Sequence, residues 1–307
     1  MTKVLVATVK PFAPAAVNGI REVVEGAGYE MALLEKYEDQ KDFIDAASDA
    51  DAIIIRSDKA NAEVIAGANK LKIIVRAGAG YDNVDLEAAT AKGIVVMNTP
   101  GQNSNAVAEL ALGMMVYMAR NRFNGTSGRE LRGKKLGIHA YGNVGRYVAE
   151  IAKGFGMKCY AFDPFISKED IEKDGVIALD SVEELYSTCQ FISLHIPANE
   201  KTKGSVNTDL LSMMPQGATL INTARKEVVC EDSLKKAFAE RDDFIYISDI
   251  APDCAEEIAE HYEGRFFFTP KKMGAQTSEA NINAGIAAAS QIKAFLEEGD
   301  RTYQVNK

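Results

Sequence analysis

The sequence predicts an α/β protein built from two doubly wound parallel-sheet domains. Three observations lead there. Apolar, strand-like runs alternate with short helical patterns over nearly the whole chain; one long apolar helix interrupts the alternation; and in the second half a glycine turn joins a strand directly to an amphipathic helix. Parallel strands need crossover connections, and strands buried on both faces read as unbroken apolar runs.

In chain order, the first half predicts strands at 4–9, 31–34, 52–55, 73–76 and 95–98, separated by helices at 14–27, 40–47, 60–66 and 86–92. A helix over 103–120, apolar on most sides, links this unit to the next. Strands follow at 135–139, 158–162, 191–194, 219–222, 244–248 and 266–268, each read as a run buried on both faces. A helix over 278–298 leads to a charged tail with no strand of its own. The domains are expected at 1–98, completed by 279–307, and at 99–278.

The stretch 136–165 is the most informative. It runs from an apolar strand through Ala140, Tyr141, Gly142, Asn143, Val144 and Gly145 into a helix, then along a second strand to Asp163. Such an order suits a dinucleotide. Gly142 lets backbone approach a pyrophosphate, Gly145 lets the helix pack on the strand, and the amides of Asn143 and Val144 sit at a helix N-terminus, where anions are favoured. Asp163 is positioned to accept from both hydroxyls of an adenine ribose and to repel a 2′-phosphate, which predicts NAD rather than NADP. The first glycine of the usual motif is replaced by Ala140. His139 reads as a satisfied core histidine.

At 307 residues and 47% apolar, the chain is long enough for two cores. A net charge of −9 without a basic stripe argues against nucleic acid or an anionic membrane as partner. No apolar run approaches the roughly 20 residues of a membrane span, and the N-terminus enters a strand pattern without a signal-peptide layout, so a cytoplasmic location is expected. Cys159, Cys189, Cys230 and Cys254 lack metal-ligand spacing and read as free thiols, and no metal is expected. Anionic ligands would have to meet locally gathered cations. Arg56, beside Ser57, and Arg76 stand at carboxyl ends of predicted strands, the edge where open α/β sheets bind ligands. Two cations exceed what one carboxylate needs and suggest a phosphate. Lys10, at the end of the first strand, adds charge there or is simply solvated. The amides of Gly78, Ala79 and Gly80 are candidates for a substrate carboxylate.

Four stretches, 75–115, the glycine turn, 221–229 and 273–280, occur together in an order that resembles the D-isomer-specific 2-hydroxyacid dehydrogenases, especially members acting on D-3-phosphoglycerate. The resemblance implies a flavodoxin-like substrate domain and a Rossmann NAD-binding domain around a cleft, a last helix returning to the first domain, and a homodimer formed through the nucleotide domain. It assigns Arg225 to the substrate carboxylate and neighbouring oxygen, a task suited to a planar, permanently charged fork. It places His195, Ile196 and Pro197 along the adenine, Thr223 and Ala224 along the nicotinamide, Asp249 on its carboxamide, and arginines such as Arg56 and Arg76 on the substrate phosphate.

The chain departs from the family where proton transfer is carried by a His-Glu pair: Lys272, beside Lys271, occupies the histidine position and Cys254 the glutamate position, with Asp253 and Glu256 near it. In one reading Lys272 is the acid/base, its pKa lowered from ~10.4 by burial or by neighbouring cations such as Arg225. In the other the dyad is lost and the protein only binds NAD and reports on it. The expected activity is NAD-dependent oxidation of D-3-phosphoglycerate to 3-phosphohydroxypyruvate, the entry to serine synthesis, with reduction of hydroxypyruvate or glyoxylate as the alternative enzyme.

Overall fold

The computed structural model describes residues 1–306. By its internal contacts the chain forms two compact units, Met1–Asn103 with Gln276–Lys307, and Ser104–Ala275. Residues 99–103 and 276–278 thus fall in the first unit, whereas the sequence pattern assigns them to the second.

The first unit contains β1 (Lys3–Thr8), α1 (Pro14–Gly26), β2 (Glu30–Glu35), α2 (Gln40–Ala47), β3 (Ala52–Ile55), α3 (Ala62–Gly67), β4 (Ile73–Arg76), α4 (Leu86–Ala91) and β5 (Val95–Asn98). The strands lie in the order β2-β1-β3-β4-β5, all parallel. Ile53, Ile54 and Ile55 are completely buried, which makes β3 the centre of the unit; each such side chain contributes about 2 kcal/mol of burial free energy. At the edge, β2 is only half buried. The expected helix from residue 60 starts at Ala62, because the Asn61 side chain accepts from the Val64 amide and caps it.

The second unit begins with α5 (Ser104–Ala119) and continues through β6 (Lys135–His139), α6 (Asn143–Gly154), β7 (Lys158–Phe162), α7 (Lys168–Glu172), β8 (Ile177–Ala178), α8 (Val182–Thr188), β9 (Phe191–Leu194), α9 (Thr208–Met213), β10 (Thr219–Asn222), α10 (Glu231–Glu240), β11 (Ile245–Ser248), α11 (Ala255–His261) and β12 (Phe266–Phe268). Its parallel sheet has the order β12-β11-β10-β9-β6-β7-β8. Two strands correct the expectation of uniform burial: β7 alternates between exposed and buried positions, and all three phenylalanines of β12 are only partly covered. β12 is an edge strand, and β7 is covered beyond by β8, a two-residue strand too short to register as an apolar run.

The chain closes with α12 (Ser278–Glu298), which packs on α1 in the first unit. Small residues allow this contact reciprocally: a Cβ on Gly19 would come within 2.6 Å of Ile286, and one on Gly285 within 2.9 Å of Ile20. The tail then returns to β5. Asn306 accepts from the Val96 amide at 2.7 Å and donates to the Ile94 carbonyl at 2.8 Å, which covers an otherwise open sheet edge. Among the described residues, no helix is long and apolar enough to cross a membrane.

Candidate active site

The glycine turn follows β6 at the carboxyl edge of the second sheet. Ala140 holds φ at +79°, the conformation glycine would adopt without cost, so the turn keeps its shape although its first glycine is absent. Asp163, just past β7, accepts from the Tyr141 amide through Oδ2 and from the Phe165 amide through Oδ1, both at 2.8 Å. These bonds orient its carboxylate. The Tyr141 ring itself is fully buried, with Arg146 over its face and its hydroxyl donating to Asp174 at 3.1 Å. Tyr141 therefore serves the turn through its backbone, not as a side-chain ligand.

Gly142 and Gly145 have different structural reasons. A Cβ on Gly145 would stand 2.5 Å from the Ala140 carbonyl oxygen and 3.0 Å from Ile138, so the helix packs on the strand only with glycine there. A Cβ on Gly142 would meet nothing within 4 Å, and its φ of −79° is open to any residue. Nothing among the described residues requires this glycine. It leaves a cradle at the N-terminus of α6, where no side chain caps the first amides and no acid occupies the first turn. The pyrophosphate of a dinucleotide fits this set of donors.

Beside the turn, the His195 amide donates to the His139 carbonyl at 2.9 Å, and its Nε2 lies 2.9 Å from Ser193 Oγ. Burial pushes His195 down to about 3 and His139 down to about 4, so both rings are neutral at ordinary pH. Ile196 belongs to the buried core around Leu210 and Leu211 rather than to an open adenine wall; of the three residues expected there, Pro197 is exposed and His195 partly so.

Past β10, the chain turns through Asn222, Thr223, Ala224 and Arg225. Buried Asn222 organises this turn: its Oδ1 accepts from the Ala224 amide at 3.0 Å, and its Nδ2 donates to the Arg225 carbonyl at 2.9 Å and to the Tyr246 hydroxyl at 3.2 Å. Thr223 Oγ1 is buried and has no hydrogen-bond partner among the described residues. An orphaned hydroxyl in a crevice lined by Thr223, Ala224, Arg225, Ser248, Asp249 and Ile250 fits a polar group of a bound nicotinamide. Lys272 Nζ donates to the Ala224 carbonyl at 3.0 Å and Arg225 Nη1 to the same oxygen at 2.9 Å. Both side chains are exposed. Two cations distant in sequence thus converge on one carbonyl.

Asp249 is 2% exposed and faces the loop that carries Lys272. Its Oδ1 accepts from Thr269 Oγ1 at 3.0 Å and from the Met273 amide at 2.9 Å, and its Oδ2 from the Gly274 amide at 2.8 Å. The carboxylate, expected on a carboxamide, spends three of its acceptor positions inside the protein. Asp253 pairs with Lys226, and Glu231 accepts from the Asp253 and Cys254 amides. Burial and the nearby Glu231 push the Cys254 thiol up to about 12, so it remains protonated and does not replace a glutamate.

In the first unit, the Arg56 guanidinium lies over Phe12 and donates to the Lys10 and Pro11 carbonyls, each at 3.3 Å, and to Asn281. Burial lowers its pKa from the ordinary value, opposed by Asp58. Arg76 Nε donates to the Arg56 carbonyl at 3.0 Å. The Arg76 guanidinium crosses Gly78 so closely that a Cβ there would sit 1.6 Å from Nη1, and the φ of +144° is one L side chains rarely adopt. The Gly78 amide, expected to meet a carboxylate, is already bound to Thr99 Oγ1 at 2.6 Å and is not open for that role. Ser57 and the Lys10 side chain are exposed. Sequence reasoning missed Asp58, which is 6% exposed and accepts from the Val9 amide at 2.7 Å and the Tyr37 hydroxyl at 2.9 Å. An acid three residues after a fully apolar strand was its available signal.

Comparison with known proteins agrees with this geometry. The family model described as D-isomer specific 2-hydroxyacid dehydrogenase, NAD binding domain, matches residues 106–261. The D-3-phosphoglycerate dehydrogenase of Methanocaldococcus jannaschii is 37% identical over 276 residues, 84% of this chain and 52% of that protein. The hydroxypyruvate reductase of Thermotoga maritima is 31% identical over 287 residues, 88% of this chain and 92% of that protein. A crystal structure of NAD+-bound 3-phosphoglycerate dehydrogenase from Entamoeba histolytica superposes with a TM-score of 0.86 at 50% identity, covering 100% of this chain and 99% of that one. The chain spans about half the length of several curated relatives it matches, 52% for the archaeal one. With a matching domain model and relatives aligned over most of its length, the chain belongs to the D-isomer-specific 2-hydroxyacid dehydrogenases, and its second unit carries their NAD-binding domain.

Proposed function

We propose that the protein interconverts D-3-phosphoglycerate and 3-phosphohydroxypyruvate, using NAD, with Lys272 as the proton carrier. The observation that carries this reading is the convergence of Lys272 and Arg225 on the Ala224 carbonyl, next to the partnerless hydroxyl of Thr223. When bound, NAD supplies the hydride acceptor for alcohol oxidation. The residues of the chain do the rest. The α6 N-terminus holds the pyrophosphate, Asp163 takes the ribose hydroxyls, and Thr223 bonds near the nicotinamide. Arg225 fixes the substrate carboxylate and polarises the oxygen on C2. Neutral Lys272 accepts the hydroxyl proton as the C2 hydride leaves; in the reverse direction its ammonium returns that proton to the keto oxygen.

The phosphorylated substrate is supported by the named archaeal and amoebal relatives and by the two arginines at the carboxyl edge of the first sheet. Reduction of unphosphorylated hydroxypyruvate is the second reading, favoured by the Thermotoga relative. Pairing of two copies through the second unit belongs to the same proposal and is testable by sedimentation. For the activity, the test is NADH oxidation with 3-phosphohydroxypyruvate, hydroxypyruvate, glyoxylate and pyruvate in parallel. Turnover selective for the phosphorylated acid is expected. Equal kcat/KM for hydroxypyruvate would favour the reductase, and tight NADH binding without turnover on any of the four would overturn the enzymatic reading.

A further inference from the structure

Lys272 sits on a loop that regular secondary structure does not support, yet proton transfer tolerates little displacement of the group that performs it. What fixes the loop is the carboxylate of Asp249, which binds the two amides directly following Lys272, those of Met273 and Gly274, and the Thr269 hydroxyl at the start of the same loop. The approach is close enough to need glycine: a Cβ on Gly274 would stand 2.9 Å from Asp249 Oδ2. Asp249 is also tied to the Arg225 turn, because its own amide donates to the Asn222 carbonyl at 2.9 Å and Asn222 holds the Arg225 backbone. Asp249 therefore joins the segments carrying the two cations, its carboxylate holding the Lys272 loop and its backbone amide the strand end that leads to Arg225.

We propose that Asp249 is a positioning residue for proton transfer, setting the place of Lys272 relative to Arg225 through the Met273 and Gly274 amides. This rests on the reading of Lys272 as the proton carrier. A carboxylate suits the task because it only accepts, so several N–H and O–H donors of one loop can converge on it. Asparagine has the same shape but turns one acceptor into a donor, which must then face an amide or the Thr269 hydroxyl.

The test compares Asp249→Asn, Lys272→Ala and the double variant, reading kcat, the pH profile of kcat and the NADH dissociation constant from fluorescence. Asp249→Asn is expected to lower kcat about 10- to 100-fold, as small misplacements of catalytic groups do, and to shift the pH limb assigned to Lys272 while changing NADH affinity less than about threefold. In the Lys272→Ala background, the same change should alter kcat by less than about threefold, because its target is gone. Full additivity, or a tenfold loss of NADH affinity with kcat retained, would overturn the positioning role and return Asp249 to the cofactor. Normal turnover of Lys272→Ala alone would instead remove the reading beneath it, and the proposal with it. Should Asp249→Asn not fold, Gly274→Ala attacks the same link by crowding Oδ2. It is expected to lower kcat with NADH affinity preserved, and wild-type kcat there would contradict the proposal.

Discussion

Around Gly142 the chain keeps donors without acceptors, whereas around Arg225 and Lys272 the side chains of Asn222 and Asp249 tie the backbone of both segments in place. The N-terminus of α6 has no cap, no acid and an open cradle where a Cβ would meet nothing. Across the same sheet edge, Asn222 and Asp249 engage four backbone groups between them, and both cations rest on one carbonyl. Under the proposed function, the difference follows from what each place would do. A phosphate brings its own charge and acceptors, so its site needs only free amides in a fixed arrangement. Groups that move a proton and polarise a small acid must be held by the protein beforehand.

The largest effect is expected at Arg225. Arg225→Ala is expected to lower kcat/KM by about 10²- to 10³-fold, the usual scale for losing one preorganised electrostatic partner, and Arg225→Lys to recover only part of it because an ammonium lacks the fork. Since the side chain is exposed, the melting temperature should hardly move. Loss of stability in parallel with activity would mean that the arginine is structural.

Next in size is a pH effect on folding from the two histidines beside the glycine turn. Their folded pKa values, about 4 for His139 and about 3 for His195, lie below the unfolded value of about 6.5. The unfolded chain therefore binds protons that the folded chain refuses, and stability present in full above pH 6.5 is lost as pH falls toward 4. For His139 the full loss is about 3 kcal/mol; His195, partly at the surface, contributes less. Urea unfolding at pH 7.5, 5.5 and 4.5 measures this, and a profile unchanged in His139→Gln would contradict the assignment.

The two glycines of the turn should separate binding from folding. Gly145→Ala is expected to cost about 1–3 kcal/mol of stability, because the new methyl meets the Ala140 carbonyl, whereas Gly142→Ala should leave thermal unfolding unchanged and weaken NADH binding about tenfold. The smallest effect is expected at Ala140. Ala140→Gly should stabilise the protein by about 1 kcal/mol by relieving a left-handed alanine, with the turn otherwise intact. A destabilised Ala140→Gly would show that the methyl packs usefully enough to offset its strain.

Strands of the interior were legible because burial on both faces leaves an unbroken apolar run: β3, β4, β9 and β10 stand where the pattern places them. Edges were less legible. β8 is too short to carry a period, and the phenylalanines of β12 imitate a central strand although half their surface neighbours are missing. In the site, residue types announced the groups, and Arg225 and Lys272 could be named from the motif. That they would share the Ala224 carbonyl could not, since the contact joins segments 48 residues apart. Likewise, the Gly78 amide was offered to a ligand because nothing local reveals that Thr99 has taken it. Hydrogen bonds between loops of distant strands have no sequence period, so Asn222, Asp58 and the internal engagement of Asp249 became visible only in the structure.

The measurement that tests the account most directly is the single-turnover rate of NADH oxidation with 3-phosphohydroxypyruvate by Lys272→Ala beside the wild-type protein, at a pH where both bind NADH. A rate lower by about 10²- to 10⁴-fold at unchanged NADH affinity is predicted for loss of the proton carrier. A rate within a few-fold of the wild type would contradict it and assign the proton to another group.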